Sequence, residues 1–163
     1  MKIDAANPYP ADVEAVAAAM GDPGFLTARA EALGHTPVEI LESEARDDGW
    51  RIVIRRRVPL TVPRFARKVL TPRAIATQTE DWRRSEHGYR GEFEVKAAGI
   101  PGHVAGTATL EPDGMGTVHR ISAEVTADVP VIGAKIAKLL ADDTLLVIRS
   151  EHEFGVAHFG GDG

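Results

Sequence analysis

The stretch VPVIGAKIAKLLADDTLLVIRS, Val129 to Ser150, decides the fold. Pro130 and Gly133 lie near its start, and no further proline follows in the sequence. Proline is tolerated in the first turn of a helix, where its missing N–H would have no helical partner. The stretch therefore predicts one long helix over Val131 to Phe159, which would span roughly 40 Å at about 1.5 Å per residue.

This helix divides into two stripes when its residues are placed at intervals of about 100°. The polar stripe consists of Lys135, Lys138, Asp142, Arg149 and Glu153. The apolar stripe consists of Ile136, Ala137, Leu140, Thr144, Val147, Ile148, Phe154 and Gly155. Two acids, Asp143 and Glu151, fall on or beside the apolar stripe. The pattern predicts a helix with one face in water and the other against a second layer.

The composition is that of a globular protein without disulfides. Its 163 residues are 44% hydrophobic and 26% charged, and there is no cysteine. One domain over residues 1–163 is expected at this length. The first residues lack a secretory signal pattern, and no run reaches the roughly 18 apolar residues of a membrane span. We therefore expect a cytoplasmic protein with no stable membrane insertion.

Charge is distributed unevenly along the chain. The net charge is −5, but the segment from Arg46 to Arg90 has twelve Lys or Arg and only five Asp or Glu. Such a basic segment suggests an anionic partner, although the solvated outer faces of strands produce the same pattern. Because no aromatic-rich RNA-binding signature accompanies it, we expect no nucleic-acid partner.

The residues before the long helix alternate between helical and strand periodicity. A short strand, Lys2 to Ala5, precedes two short helices, Ala11 to Met20 and Gly24 to Leu33. Period-two alternation then predicts six strands: His35 to Ala45, Trp50 to Val58, Ile75 to Trp82, Gly91 to Ala97, His103 to Pro112 and Thr117 to Val129. Each strand has one apolar and one polar face, which indicates a mostly antiparallel sheet covered on a single side. Only the last helix is long enough to cover it, so the fold class is α+β.

Four local motifs accompany this order of elements. They are Pro63-Arg64-Phe65-Ala66, Gln78-Thr79-Glu80-Asp81-Trp82, Leu110-Glu111-Pro112-Asp113-Gly114 and the stretch from Val129 to Ile136. Over essentially the whole chain, the sequence resembles the START/SRPBCC superfamily of birch-pollen-allergen-like proteins, polyketide cyclases and lipid-transfer domains. Within it, the sequence is most similar to a family of unknown function from high-GC bacteria. The resemblance implies a helix-grip fold, in which a strongly curved antiparallel sheet wraps around the C-terminal helix and leaves a cavity.

The sequence contains no recognisable catalytic or metal-binding motif. The run HEFGVAH, His152 to His158, lacks the spacing of a zinc site, because Val156 occupies the position where the second histidine must lie. No G-x-S-x-G, P-loop or G-x-G-x-x-G pattern occurs, and the family resemblance supplies no catalytic residue. We therefore expect no metal, no cofactor and no assignable catalytic residues.

Arg56 is the charged residue that lies on an apolar strand face, together with Trp50 and Ile54. Two roles are open for it. In the first role, Arg56 binds a ligand carboxylate or phosphate through two parallel hydrogen bonds. Alternatively, it reaches solvent past its apolar stem or pairs with Glu80 or Asp143. We favour the second role.

The acids near the predicted apolar faces also have two interpretations. Burial raises the pKa of a carboxyl group, and paired carboxylates perform general acid–base catalysis. Nothing in the sequence places any two of Glu80, Asp143 and Glu151 together. We therefore favour structural ion pairing over catalysis for these residues.

The predicted cavity needs apolar and aromatic walls with a few polar groups. The inward face of the strand that ends at Trp82 is ambiguous, since Thr77 and Thr79 alternate with Gln78 and Glu80. Trp50, Trp82 and Phe93 fit either a cavity wall or an ordinary core. The candidate ligand-binding residues are Trp50, Ile54, Arg56, Trp82, Phe93, His119, Ile121, Ile136, Leu140, Asp143 and Val147.

Three functions remain open, and we favour the first. It is non-catalytic binding of a hydrophobic or amphipathic small molecule, such as a lipid, isoprenoid or polyketide, in a cavity of several hundred Å³. The second is a polyketide cyclase/aromatase-like enzyme, which needs at least two of Arg56, Glu80, Asp143 and His119 inside the cavity. The third is a protein-interaction module without a cavity. Leu139, Leu145 and Leu146 flank the polar stripe and would pack on the two small helices or form a dimer contact, so the chain is expected to be a monomer or homodimer.

Overall fold

The computed structural model of the chain describes residues 1–160. Within these residues, seven strands and three α-helices follow one another as β1 (Lys2–Tyr9), α1 (Val13–Met20), α2 (Pro23–Ala32), β2 (Val38–Arg46), β3 (Gly49–Pro59), β4 (Arg73–Arg84), β5 (Tyr89–Ala98), β6 (Gly102–Asp113), β7 (Gly116–Ala127) and α3 (Gly133–Phe159). A 3-10 turn at Arg64–Ala66 lies between β3 and β4.

The strands form a single antiparallel sheet in the order β1-β7-β6-β5-β4-β3-β2. Strands β2 to β7 each pair with their neighbours in sequence, and β1 completes the sheet beside β7. The long helix α3 follows the last strand and packs against β1 and β7. The predicted α+β helix-grip architecture is therefore confirmed.

The first strand and the first helix differ from the sequence-based prediction. Strand β1 continues through Pro8 to Tyr9, because it lies at the sheet edge, where a missing N–H is tolerated. Helix α1 begins at Val13, so Pro10 lies before it and not in its first turn. The cap is instead Asp12, whose side chain accepts a hydrogen bond of 2.8 Å from the N–H of Ala15.

Strand β2 contains a bulge that period-two alternation does not predict. Ile40 pairs with Ile54 and Glu42 pairs with Val53, so Leu41 has no partner and is 44% exposed. The extra residue turns Glu42 to the opposite face from the one that simple alternation gives it. Edge strands such as β2 often contain bulges.

Helix α3 has the two stripes that the sequence predicts. All five residues of the polar stripe are exposed, whereas Ile136, Ala137 and Gly155 are buried. The helix begins at Gly133, three residues after Pro130. At Gly155 a side-chain carbon would lie 2.5 Å from the ring of Tyr9, so this glycine allows α3 to approach β1 closely.

The cover of the sheet is shared between helices, contrary to the expectation that α3 alone provides it. Helices α1 and α2 share one hydrophobic cluster with Trp50, Ile52 and Trp82 of β3 and β4, and their backbones also contact β6, β7 and β2. Helix α3 packs through Ala141 on the opposite half of the sheet, beside Ile3 of β1. A space remains between these two regions of helix–sheet packing, and it lies beneath α3.

The three leucines beside the polar stripe do not pack on the small helices. Leu139 packs with the hydrophobic cluster around Leu60 and Leu70, and Leu145 packs with the cluster around Val125. Leu146 is 58% exposed. The prediction of a contact with α1 and α2 is wrong, because α2 meets α3 further along the helix, where Phe25 packs against Phe154 and Arg29 pairs with Glu151.

Candidate ligand-binding cavity

A cavity of about 170 Å³ lies between the inner face of the sheet and α3. Strands β3 to β7 and helix α3 provide most of its wall, and Met20 and Arg29 reach it from the small helices. It is smaller than the several hundred Å³ expected, since α1 and α2 fill the space over the Trp50 side of the sheet. An apolar cavity of roughly 150 Å³ holds a benzene molecule. The observed cavity therefore has room for one small ring or a short chain.

Most of the wall is aliphatic or aromatic. Its apolar residues are Met20, Val58, Leu60, Ala74, Ala76, Trp82, Phe93, Val95, Ala97, Ile100, Val104, Ala108, Ile121, Leu140, Val147 and Ile148. Such a wall favours an apolar ligand, because apolar surface gains free energy when it leaves water.

Strand β4 gives the cavity two unlike ends. Ala74, Ala76, Gln78, Glu80 and Trp82 all line it, which settles the ambiguity about the inward face of this strand. The alanines at the start of β4 leave free space, whereas the longer polar side chains fill the other end. We call the group Arg29, Arg56, Gln78, Glu80, His119 and Glu151 the polar end.

Glu151 is the centre of an ion-pair network at the polar end. Its Oε2 lies 3.1 Å from Nη2 of Arg29 and 3.8 Å from Nη2 of Arg56. The side chains of both arginines are less than one-tenth exposed. Arg56 also donates a hydrogen bond of 3.1 Å to Oε1 of Gln78. The network thus joins α2, β3, β4 and α3.

Glu80 extends this network along β4. It accepts a hydrogen bond of 2.7 Å from Nε2 of Gln78 and one of 2.9 Å from the indole Nε1 of Trp82. The polar end therefore contains two guanidinium groups and two carboxylates. Each carboxylate already has hydrogen-bond or ion-pair partners, as buried charges require.

Burial and neighbouring charges shift the pKa values at the polar end. Burial opposes ionisation of Glu151, but Arg29 and Arg56 outweigh it and lower the pKa of this carboxyl group. Burial, assisted by the charge of Arg29, lowers the pKa of His119 to about 4. Burial also lowers the pKa of His35, which is near Arg56. At neutral pH, Glu151 is charged and both histidines are neutral.

Two buried atoms of the polar end lack a hydrogen-bond partner within residues 1–160. They are Nε of Arg56 and Nδ1 of His119, and both residues line the cavity. Buried polar groups in folded proteins are nearly always paired with protein or water. These two atoms therefore offer hydrogen bonds to a molecule that occupies the cavity.

Asp143 lies in a different environment on the same helix. It lines the cavity eight residues before Glu151, about 12 Å along the helix axis. Burial raises the pKa of its carboxyl group, and it forms no ion pair within the described part of the chain. Asp143 is therefore separate from the carboxylates of the polar end.

The structure places eight of the eleven candidate residues in the cavity wall, namely Arg56, Trp82, Phe93, His119, Ile121, Leu140, Asp143 and Val147. Their role in binding a ligand stays a prediction. Trp50 and Ile54 lie outside the wall, in the core beneath α1 and α2, where Trp50 stacks on Trp82 at 5.3 Å between ring centroids. Ile136 packs instead against Leu60 near the start of α3.

The polar end includes residues that the sequence did not identify as candidates. Arg29 lies on a short helix, 122 positions from Glu151, and nothing in its local pattern indicates an inward direction. The partners of Arg56 are Gln78 and Glu151, in place of the expected Glu80 or Asp143. Val58 also lines the cavity, and simple alternation from Arg56 places it on the same face of the strand.

Carboxylates on the outer face of the sheet pair with some of the arginines in the basic segment from Arg46 to Arg90. Arg46 pairs with Asp81 at 2.9 Å, and Arg51 pairs with Glu42 at 3.1 Å. These contacts favour the interpretation of the segment as solvated strand faces. Across residues 1–160, no helix combines the length and the apolar character needed to cross a membrane.

Comparison with solved structures finds the same fold in proteins of very different sequence. The Zhui aromatase/cyclase from a Streptomyces species matches with a TM-score of 0.70 and 12% identity, over 98% of this chain and 93% of that one. A START superfamily protein from Mycobacterium smegmatis matches with a TM-score of 0.63 and 11% identity, over 99% of each chain. A protein from Thermus thermophilus matches with a TM-score of 0.66 and 18% identity, over 97% of this chain and 99% of that one. These matches confirm the START/SRPBCC-like fold.

Sequence comparison gives the family but no function. No curated protein matches the chain. The model of a family described as a protein of unknown function, DUF2505, matches residues 4–158. Since this match covers nearly the whole sequence, the chain belongs to the DUF2505 family.

Proposed function

We propose that this protein binds a small, largely apolar molecule in the cavity between the sheet and α3, without converting it chemically. The observation that supports this proposal is the wall itself. Aliphatic and aromatic side chains form most of it, and a few polar groups lie at one end. Ligand-binding pockets commonly combine an apolar wall, which provides affinity, with a few polar groups that set orientation.

The volume of the cavity narrows the class of ligand. A space of about 170 Å³ takes a single ring or a short isoprenoid or polyketide fragment, whereas a long-chain lipid requires wall side chains to move.

The second function, a polyketide cyclase-like enzyme, has weaker support. Arg56, Glu80 and His119 do share one end of the cavity. However, Glu80 is already held by Gln78 and Trp82. A histidine with a pKa of about 4 is a weak base for proton abstraction at neutral pH. We therefore retain the non-catalytic function and the expectation of a monomer or homodimer.

A pair of variants on α3 tests binding in the cavity. Val147 lines it, whereas the adjacent Leu146 is exposed, so Val147→Phe fills the cavity and Leu146→Phe serves as the matched control. The probe is isopropylbenzene, titrated into isotopically labelled protein and followed by NMR chemical shifts. We expect saturable binding to the wild type and the control, and at least tenfold weaker binding to Val147→Phe. Equal binding to both variants, or no saturable binding to the wild type, would contradict the proposal.

A further inference from the structure

We infer that the polar end selects neutral ligands with a single oxygen group, a carbonyl or a hydroxyl, and disfavours carboxylates and phosphates. The inference rests on the proposed function, because it concerns how a molecule in the cavity is oriented. It differs from the first of the two roles that the sequence leaves open for Arg56, the binding of a ligand carboxylate or phosphate.

The first argument is the balance of charge at the polar end. Arg29 and Arg56 are the two guanidinium groups, and Glu151 forms an ion pair with each of them. Glu80 contributes a second carboxylate from β4. An anionic ligand would lose its hydration at a site where both positive charges are already matched. Such an uncompensated buried charge is unfavourable.

The second argument is the donor that the network leaves unused. The Nη2 group of Arg56 is directed to Gln78 and Glu151, but Nε has no partner within residues 1–160. The arginine is only 7% exposed and lines the cavity, so this N–H is accessible mainly to a molecule inside it. A carbonyl or hydroxyl oxygen accepts such a hydrogen bond without adding charge.

The third argument comes from His119, which also lines the cavity. Its ring lies 6.0 Å from Trp82 and 6.4 Å from Tyr9 between centroids, and its Nδ1 has no partner among the described residues. A neutral imidazole nitrogen either donates or accepts, according to its tautomer. It therefore suits a carbonyl oxygen or a hydroxyl group, and it adds no positive charge that would attract an anion.

Asp143, which lines the cavity outside the polar end, also favours neutral ligands over anionic ones. It brings a further carboxyl group into the cavity and has no cation beside it in residues 1–160. When ionised it repels an anionic ligand, and when protonated it provides no positive charge. The wall thus contains more acids than cations.

The experiment compares ligands with the same aromatic ring and different substituents. Acetophenone has a carbonyl, 1-phenylethanol a hydroxyl, benzoate a carboxylate, and isopropylbenzene no polar group. Each is titrated into wild-type protein at pH 7 and followed by NMR. We expect acetophenone and 1-phenylethanol to bind at least tenfold more tightly than benzoate. Benzoate binding as tight as that of acetophenone would overturn the inference.

Two arginine variants identify the donor. In Arg56→Met the donor is removed and an apolar stem is kept, whereas Arg55→Met is the control, since Arg55 is exposed and pairs with Glu39 outside the sheet. Loss of a hydrogen bond from a charged donor predicts roughly tenfold weaker acetophenone binding to Arg56→Met, with isopropylbenzene affinity kept within about threefold. Arg55→Met should change neither. An equal loss for both ligands would overturn the assignment of Arg56.

The outcomes also separate this inference from the proposed function. If isopropylbenzene binds and benzoate equals acetophenone, only the selection by the polar end is wrong. If none of the four ligands binds the wild type, the proposed function itself is wrong. The comparison in wild-type protein does not depend on whether Arg56→Met folds.

Discussion

Glu151 and Asp143 line the same cavity from the same helix, yet their environments are opposite. Glu151 lies between Arg29 and Arg56, and these cations lower the pKa of its carboxyl group despite burial. Asp143, about 12 Å away along α3, has no such neighbour, and burial raises the pKa of its carboxyl group. The comparison shows that the two acids do not form a catalytic pair.

The difference also separates two tasks within one cavity. The ion pairs at the polar end connect α3 to α2 and to the sheet, so this end fixes the position of the helix. The stretch around Asp143 is lined mainly by apolar side chains, and it provides the space for a ligand. We expect substitutions at the polar end to change stability and the preference for a ligand's oxygen group, and substitutions along the apolar stretch to change the affinity for every ligand.

The largest effect is expected for Glu151→Gln. Removing the carboxylate deprives the buried Arg29 and Arg56 of the ion-pair partner that they share, and breaking a buried ion pair in this way costs about 3–5 kcal/mol. Urea denaturation measures the free energy of unfolding. Glu153→Gln is the control, because Glu153 is exposed on the same helix and should change stability by less than about 0.5 kcal/mol. A loss below about 1 kcal/mol for Glu151→Gln would show that the network does not hold the helix.

The second effect is a loss of stability in acid. His119 titrates with a pKa of about 4 when folded and at its ordinary 6.5 when unfolded, so only the unfolded chain binds this proton between those values. The free energy of unfolding therefore decreases as the pH falls from 6.5 to 4, by about 3 kcal/mol from this group. The lowered pKa values of His35 and Glu151 act in the same direction.

Replacing His119 identifies its share of this acid sensitivity. We expect His119→Phe to have a smaller slope of stability against pH between 6.5 and 4 than the wild type. In the control His87→Phe, the exposed His87 is removed and the slope should be unchanged. Parallel curves for the wild type and His119→Phe would contradict the assignment.

A smaller effect of opposite sign is expected for Asp143→Asn. The raised pKa means that the folded protein favours the protonated carboxyl, so stability from this group is present at low pH and is lost as the pH rises through its folded pKa. At pH 7 the neutral amide should therefore raise the free energy of unfolding. A clear destabilisation in urea denaturation would indicate a cation partner for Asp143.

The smallest effect is expected for the exposed pair on α3. Lys138 and Asp142 form an i,i+4 ion pair of 2.8 Å, and both side chains are largely exposed. Lys138→Ala should cost less than about 0.5 kcal/mol in urea denaturation, because water already solvates both charges. A cost comparable to that of Glu151→Gln would mean that burial does not distinguish the two ion pairs.

Periodicity in the sequence predicted the order of elements and the α+β class, and the resemblance to the START/SRPBCC superfamily implied the helix-grip arrangement. The 100° spacing separated exposed Lys135 and Glu153 from buried Ile136 and Gly155, because a helix against a layer must bury one stripe. The antiparallel strands followed from the alternation of apolar and polar residues along the chain. Alternation also put His119 and Ile121 on the inward face of β7.

The interior was harder to predict, because it depends on contacts between distant residues. The bulge at Leu41 and the inward direction of Arg29 have no local signal. Trp50 and Trp82 are similar in sequence context, but only Trp82 reaches the cavity, since α1 and α2 cover Trp50. The cavity volume likewise depends on how side chains from five strands and α3 pack together.

Native mass spectrometry of the protein purified from its own source tests the central claim most directly. We predict that the folded protein retains a small neutral molecule that is released on denaturation. Leu146→Phe from the same source should retain it, and Val147→Phe should not. Two results would contradict the account. In one, the wild type and Leu146→Phe both show only the mass of the polypeptide; in the other, Val147→Phe retains the bound molecule as fully as the wild type does.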